Sequence, residues 1–374
     1  MEQWTCTMEA LEIRWWEKMD LSFYRGKKVL ITGHTGFKGT WMCMILSEAG
    51  AEVSGYALEP VVGESVYTLC HMDDRVNSVI GDIRDYEKLS AVFKKVQPQI
   101  VIHMAAQPLV RESYARPRYT YDVNVMGTVN VLECIRQNEC VRSFVNVTTD
   151  KVYLNKEWNW GYRENEELNG YDPYSNSKSC SELVTSSYTN SFFQKRDIAV
   201  STMRAGNVIG GGDFAKDRII PDCIRAATAG EKIEVRNPNS VRPYQHVLEP
   251  VMAYLMVAQK QYEDRAYAGN YNVGPEEASC VTTGELATLF CDTWNRYPGQ
   301  KVTWETKNEN GPHEANYLKL DCSRIKTVFG WKQKWTIQET MDKIVSWTKV
   351  HSDGADVAEC MKQQILEYMR EANV

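Results

Sequence analysis

A short apolar run that empties into three evenly spaced glycines leaves few folds open to this chain. Lys28-Val29-Leu30-Ile31-Thr32 reads as a strand, Gly33-His34-Thr35-Gly36-Phe37-Lys38-Gly39 as a loop, and Trp41 to Ala49 as a helix. Strand, glycine loop and helix in that order open a dinucleotide-binding βαβ unit. The glycines permit a tight turn and close backbone approach, and the helix N-terminus offers unpaired N–H groups to a pyrophosphate. Gly33, Thr35, Gly36, Phe37, Lys38 and Gly39 are therefore candidate cofactor contacts. Turns of many kinds collect glycine, so the loop gains its weight from the pattern downstream of it.

That pattern alternates. Further strands are expected at 52–56, 78–83, 99–104, 143–147 and 198–204, with helices at 86–96, 119–138 and 174–193 between them. With right-handed crossovers this is a Rossmann-type α/β fold, a doubly wound parallel sheet. After Gly206 the alternation decays into a helix near 219–229 and loops at Gly210–Asp213, Arg236–Pro243 and Gly311–Glu314. A chain of 374 residues exceeds what one core usually fills. The expected division is an extension at 1–22, an NAD-binding domain with the catalytic residues at 23–206, a smaller interleaved C-terminal substrate lobe at 207–350 with some segments returning to the main sheet, and a helical tail at 351–374.

Ends of parallel strands are where such sheets hold ligands. Asp82 and Ile83, closing the third strand, could reach an adenine, and Ala105 and Ala106 after the fourth let the backbone come close to a cofactor. Ala57 stands where an acidic residue usually holds the adenosine ribose, with Glu59 slightly beyond; no arginine stands close by for a 2′-phosphate, which favours NAD. His103 reads as a packed core histidine.

The fifth strand, Phe144-Val145-Asn146-Val147, runs into Thr148-Thr149-Asp150-Lys151, and Tyr174 and Lys178 share a helix face further on. A lysine cation beside a phenol favours phenolate and brings a group with a pKa of about 10 closer to neutrality. An acid, a tyrosine base and a lysine can thus converge on one polyol. A Tyr-x-x-x-Lys pair alone also arises by chance on helices; it is the glycine loop upstream that gives it chemical meaning. Arginines of the second lobe, Arg218 and Arg242 among them, are candidates for a substrate diphosphate or simply solvated charge.

Composition removes other classes. The net charge is −6 with no long basic run, against nucleic acid as a partner. Eleven cysteines are scattered without metal-ligand spacing, so no metal site and reduced thiols in a cytoplasmic protein are expected. No apolar run reaches a membrane span. Met1 to Asp20 mixes Glu2, Glu9, Glu12 and Glu17 with tryptophans, unlike a secretory signal, and Met19 is an alternative start.

With these residues assembled the chain resembles the extended short-chain dehydrogenases/reductases that act on nucleotide sugars, and within them the CDP-glucose 4,6-dehydratase family. The likeness covers Phe23 to Trp347. It rests on the glycine loop, His103 to Val110, Asn124 to Thr128, Gly161 to Glu166, Gly170 to Lys178, Arg204 to Asp213, Arg242 to Val247 and Pro312 to Ala315. The dTDP-glucose branch carries Thr-Asp-Glu with glutamate as the base; here Lys151 takes that place, as in the CDP-glucose branch. His34 and Lys38 also depart from the small and apolar residues common in such loops. The resemblance implies NAD, a nucleotide-sugar substrate (CDP-glucose) and a homodimer built through the helices at 119–138 and 174–193. It adds Asn124 to the cofactor contacts, with Tyr174 and Lys178, and Asn207 and His246 to the substrate contacts, with Arg218 and Arg242. Thr149, Asp150, Lys151, Tyr174 and Lys178 become the catalytic set of an internal redox cycle: oxidation at C4, loss of water across C5 and C6, reduction at C6. Asp150 is then the acid at the C6 hydroxyl, Thr149 a hydrogen bond to the C4 oxygen and Lys151 a base at C5 or a partner of the enolate. Alternatives left open are another nucleotide-sugar dehydratase or a 4-epimerase of this fold and, more distantly, a non-catalytic NAD-sensing protein.

Overall fold

A computed structural model of the chain describes residues 20–61, 63–299, 301–307 and 317–370. The expected extension up to residue 19 and the motif at 312–315 lie outside them. Seven strands make one parallel sheet: β1 Lys28–Thr32, β2 Glu52–Ala57, β3 Asn77–Ile80, β4 Ile100–His103, β5 Ser143–Val147, β6 Ala199–Ala205 and β7 Asn270–Val273. Their spatial order is β7-β6-β5-β4-β1-β2-β3, so the chain reverses direction across the sheet between β1 and β4. There Thr32 pairs with His103 and the two carboxyl ends open a crevice. All five residues of β5 are buried, which requires cover on both faces and explains its unbroken apolar reading.

The helix after the glycine loop starts at Phe37, earlier than its apolar run suggests, and Thr40 to Leu46 are buried without a break. A helix apolar all round must be enclosed, and this one is clasped between the sheet and the C-terminal segments. The Tyr174 helix, Pro173–Tyr188, begins where Asp172 accepts a hydrogen bond from Ser175 N and proline occupies the first turn, whose N–H groups have no helical partner.

Four expectations change. β3 ends at Ile80, because the Tyr56 ring packs where a side chain at Gly81 would stand and its hydroxyl bonds Asp82 O, turning the chain away. The helix expected at 119–138 is two pieces, Pro117–Tyr121 and Gly127–Gln137, joined by a π turn over Asp122–Met126. The second long helix also ends in a π turn, Thr189–Phe193. β7 is a seventh strand beyond the six expected; it comes after the helix Leu248–Glu263, whose length is almost wholly buried against β5 and β6. The tail packs as well: the helix Val357–Arg370 buries Met361, Ile365 and Tyr368 in the main core. The second lobe has three two-stranded sheets and its own core around Ile220, Phe290 and Ile344. No helix among the described residues is long and apolar enough to cross a membrane.

Candidate active site

A cavity of about 870 Å³ is lined by residues at the carboxyl ends of strands of the main sheet and by residues of the segments after Gly206. The main lobe gives it Phe37, Lys38, Thr149, Lys151 and Tyr174, and the second lobe Asn207, Arg218 and Arg242. The volume suits a ligand larger than a single sugar.

The glycine loop is shaped for close approach. Gly33 has φ +79°, and a Cβ there would lie 2.8 Å from Ala105 N, so the β1 and β4 loops meet back to back. A Cβ on Gly39 would fall 2.2 Å from Gly33 O. Gly36 caps the helix without a side-chain hydrogen bond, which leaves the first-turn N–H groups to a ligand. Thr35 Oγ1 instead donates to Leu58 O at 2.9 Å. His34 points inward: its Nε2 lies 2.8 Å from Ser78 Oγ and its ring fills the space over Gly55, where burial holds its pKa down at about 4. These features fit a dinucleotide pyrophosphate at the helix start, with Ala105 and Ala106 alongside.

At the end of β5 the backbone turns through a 3₁₀ turn, Asp150–Val152, started by Thr149 in extended conformation. Thr149 Oγ1 donates to Asp150 Oδ1 at 2.9 Å, and Lys151 Nζ donates to the same oxygen at 3.0 Å and to Asn207 Oδ1 at 3.2 Å. Asp150 is fully buried, and its Oδ2 has no protein partner. Lys178 Nζ donates to Val147 O at 3.2 Å, which ties the helix to the same strand end.

The electrostatics differ from the expected phenolate. Burial pushes the Tyr174 hydroxyl up to about 12, the Thr149 hydroxyl and Arg218 pull the other way, and Asp150 adds to the rise. Lys178 is itself pushed down to about 7, first by burial and then by the Lys38 ammonium, with Glu182 opposing. Burial, with Arg218 next, likewise lowers Lys38 to about 8. At neutral pH desolvation therefore outweighs the local lysine–tyrosine attraction.

Several sequence candidates sit elsewhere. His246 is a core residue: it is fully buried, its Nδ1 accepts from Leu248 N at 3.2 Å, and its ring lies between Trp41 and Trp335. Asn124 does not line the cavity; it clamps Gln107 through 2.8 and 3.1 Å bonds and reaches Ser177 Oγ at 2.9 Å, joining the β4 loop to the Tyr174 helix. Asp82 is engaged by Arg84, with Nη2 to Oδ2 at 2.6 Å, which keeps the carboxyl below its ordinary pKa. Ile83 is packed in the core against Gly127. Arg218 and Arg242 do line the cavity, Arg218 paired with Asp213 at 3.0 Å. Arg242 Nη1 donates to Val241 O at 2.9 Å. His103 is a core residue as read, bonded to Thr32 and Thr128 at 2.7 and 3.1 Å. Sequence reasoning missed Arg111, Lys216 and Tyr244 on the cavity wall. Arg111 directly succeeds the His103–Val110 motif and Tyr244 lies within the Arg242–Val247 motif, signals that were in reach; nothing local marks Lys216.

Comparison with known proteins fits this geometry. The family model for GDP-mannose 4,6 dehydratase matches residues 30–344. A CDP-glucose 4,6-dehydratase of Salmonella typhimurium is 47% identical, covering 94% of this chain and 98% of its own. Among solved structures, a dTDP-glucose 4,6-dehydratase of Bacillus anthracis in complex with NAD superposes with a TM-score of 0.72 at 22% identity, covering 88% of this chain and 99% of that one. A UDP-glucose 4-epimerase of Thermotoga maritima with UDP-glucose gives 0.74 at 20% identity, covering 87% and 99%. At such identities the two structures speak for the fold alone.

Proposed function

The chain belongs to the GDP-mannose 4,6 dehydratase family, and on that premise we propose that it is an NAD-dependent lyase converting CDP-glucose to CDP-4-keto-6-deoxyglucose. The observation that carries the reading is the Asp150–Lys151 pair, 3.0 Å apart, whose buried acid holds a lysine that lines the same cavity as Tyr174. A 4-epimerase has no need of an acid aimed at C6. The nucleotide is assigned from the 47% identical CDP-glucose relative.

The glycine loop, Gly33 to Gly39, would hold NAD, which would supply a hydride acceptor for C4 and a donor for C6. The chain's own groups move the protons. The positive charge of a bound nicotinamide would lower the Tyr174 pKa, so that its phenolate takes the C4 hydroxyl proton, and Lys178 one turn away stabilises that phenolate in its ammonium form. The ketone formed at C4 acidifies C5–H, which Lys151 removes. Asp150 donates to the departing C6 hydroxyl. Asn207 and Asp150 hold the Lys151 amine in place by hydrogen bonds. Arg218 and Arg242 serve the diphosphate.

The working unit is a homodimer. Met126, Leu183 and Phe192 are exposed large apolar side chains, 51%, 55% and 46%, on the helical segments Asp122–Met126 and Pro173–Phe193 that would meet the second copy. Light scattering on the eluting protein is expected to give twice the chain mass; a monomer mass refutes this part.

The test of function is mass spectrometry after incubation with NAD and, in parallel, CDP-, dTDP-, UDP- and GDP-linked glucose. Loss of one water from CDP-glucose alone is expected. Water loss from another nucleotide changes the substrate, and an unchanged mass with altered configuration makes the protein an epimerase.

A further inference from the structure

Beneath the Tyr174–Lys178 face, one turn further along the same helix, lies Glu182. Its carboxylate is buried and surrounded. Thr148 Oγ1 and Arg204 Nε donate to Oε1 at 2.6 and 2.7 Å, and Thr202 Oγ1 and Arg204 Nη2 donate to Oε2 at 3.0 and 2.5 Å. Arg204 is anchored in turn, its Nη1 bonding Tyr153 OH and Glu164 O, both at 2.9 Å. Both oxygens thus accept from two donors each, an arrangement that locks the carboxylate in place.

The placement of the donors matters more than their number. Thr148 immediately precedes Thr149, Asp150 and Lys151. Lys178 already grips Val147 O, so successive turns of one helix hold successive residues of one strand end. That double attachment fixes how far the acid turn stands from the phenol.

Charge gives Glu182 a second effect. The charged and titratable groups facing Lys178 are Lys38 from the glycine-loop helix, His103 from β4, and Tyr174 and Glu182 from its own helix, with Arg204 on β6 behind Glu182. Glu182 is the acid that opposes Lys38.

We propose that Glu182 is a positioning residue of the catalytic centre, holding the Thr148–Lys151 turn in register with Tyr174 and setting a carboxylate one helical turn from Lys178. This rests on the dehydratase reading above.

The experiment is kcat and KM for CDP-glucose across pH in Glu182→Gln and Thr148→Val. A displacement of the acid turn by a fraction of an ångström to 1 Å is expected to lower kcat about 10- to 100-fold in both, with KM within about twofold. In Glu182→Gln the alkaline limb, where Lys178 loses its proton, also moves down by about one pH unit; in Thr148→Val the limb stays. If Glu182→Gln does not fold because Arg204 is left charged and unpaired, Glu182→Gln/Arg204→Met restores neutrality and is expected to fold with the low kcat. A wild-type kcat in Thr148→Val or in the folded double variant overturns the proposal, as does an unmoved alkaline limb in folded Glu182→Gln. Wild-type protein in the same assay keeps the failures apart: inactivity there overturns the function, normal variants only the role of Glu182.

Discussion

Lys151 Nζ touches Asp150 Oδ1 at 3.0 Å although the two residues are neighbours in the chain. The 3₁₀ turn after Thr149 brings the two side chains together, and Lys151 Nζ also donates to Asn207 Oδ1. In a dehydration the one group gives a proton to oxygen at C6 and the other takes one from carbon at C5, so acid and base must sit within a bond or two of each other.

Lys151→Met separates the half-reactions. Oxidation at C4 needs Tyr174 and Lys178 and is expected to persist, so NADH accumulates to about one equivalent of enzyme while water loss falls by about 10²-fold or more. Absorbance at the reduced nicotinamide band and product mass, read together, check this. Undiminished dehydration would remove Lys151 from the mechanism.

Gly39→Ala addresses the cofactor loop. The added methyl would lie 2.2 Å from Gly33 O and 2.7 Å from His34 Cα, both backbone atoms that cannot step aside. A loss of about 1–3 kcal/mol in stability and at least tenfold weaker NAD binding are expected, measured by urea unfolding and calorimetric titration. Unchanged affinity would show that the turn is not where the pyrophosphate rests.

Glu249 gives the fold a pH dependence. It is fully buried, accepts from Lys334 N and Trp335 N at 3.0 and 2.9 Å and from Tyr368 OH at 2.8 Å, and burial raises its pKa to about 7. The folded state thus holds a proton that the unfolded state releases near pH 4.5. The associated stability is present below that value and is lost as pH rises through about 7, at most about 3 kcal/mol. Glu249→Gln, uncharged throughout, should gain on wild type between pH 5 and 8 in urea midpoints. Parallel pH curves for the two proteins would refute the assignment.

His246→Gln distinguishes core from site. The imidazole lies 5.7 Å from the Trp41 ring and 4.7 Å from that of Trp335, so loss of shape and a displaced polar group are expected to lower stability by about 1–3 kcal/mol. KM for the nucleotide sugar should not move. A large rise in KM with unchanged stability would return the residue to the substrate site.

These contrasts show what the sequence could carry. The glycine loop, six strands and the turn that gathers Thr149, Asp150, Lys151, Tyr174 and Lys178 are legible in local pattern, because strand ends and helix faces are periodic. β7 was hidden because Asn270-Tyr271-Asn272-Val273 is only four residues long and half asparagine, a residue that strands seldom use. His246 was misplaced because its neighbours Trp41 and Trp335 are distant in sequence, and only packing brings them to it. The lowered phenol pKa failed for the same reason: two residues four apart announce attraction, whereas burial is set by everything around them.

The most direct test of the whole account uses CDP-glucose carrying deuterium at C4, mixed with unlabelled substrate. The account predicts product with deuterium at C6, no exchange of label between molecules, and no free NADH, because one bound cofactor takes and returns the same hydride. Label kept at C4 in a product that still has its oxygen at C6, or label lost to NADH in solution, would contradict it.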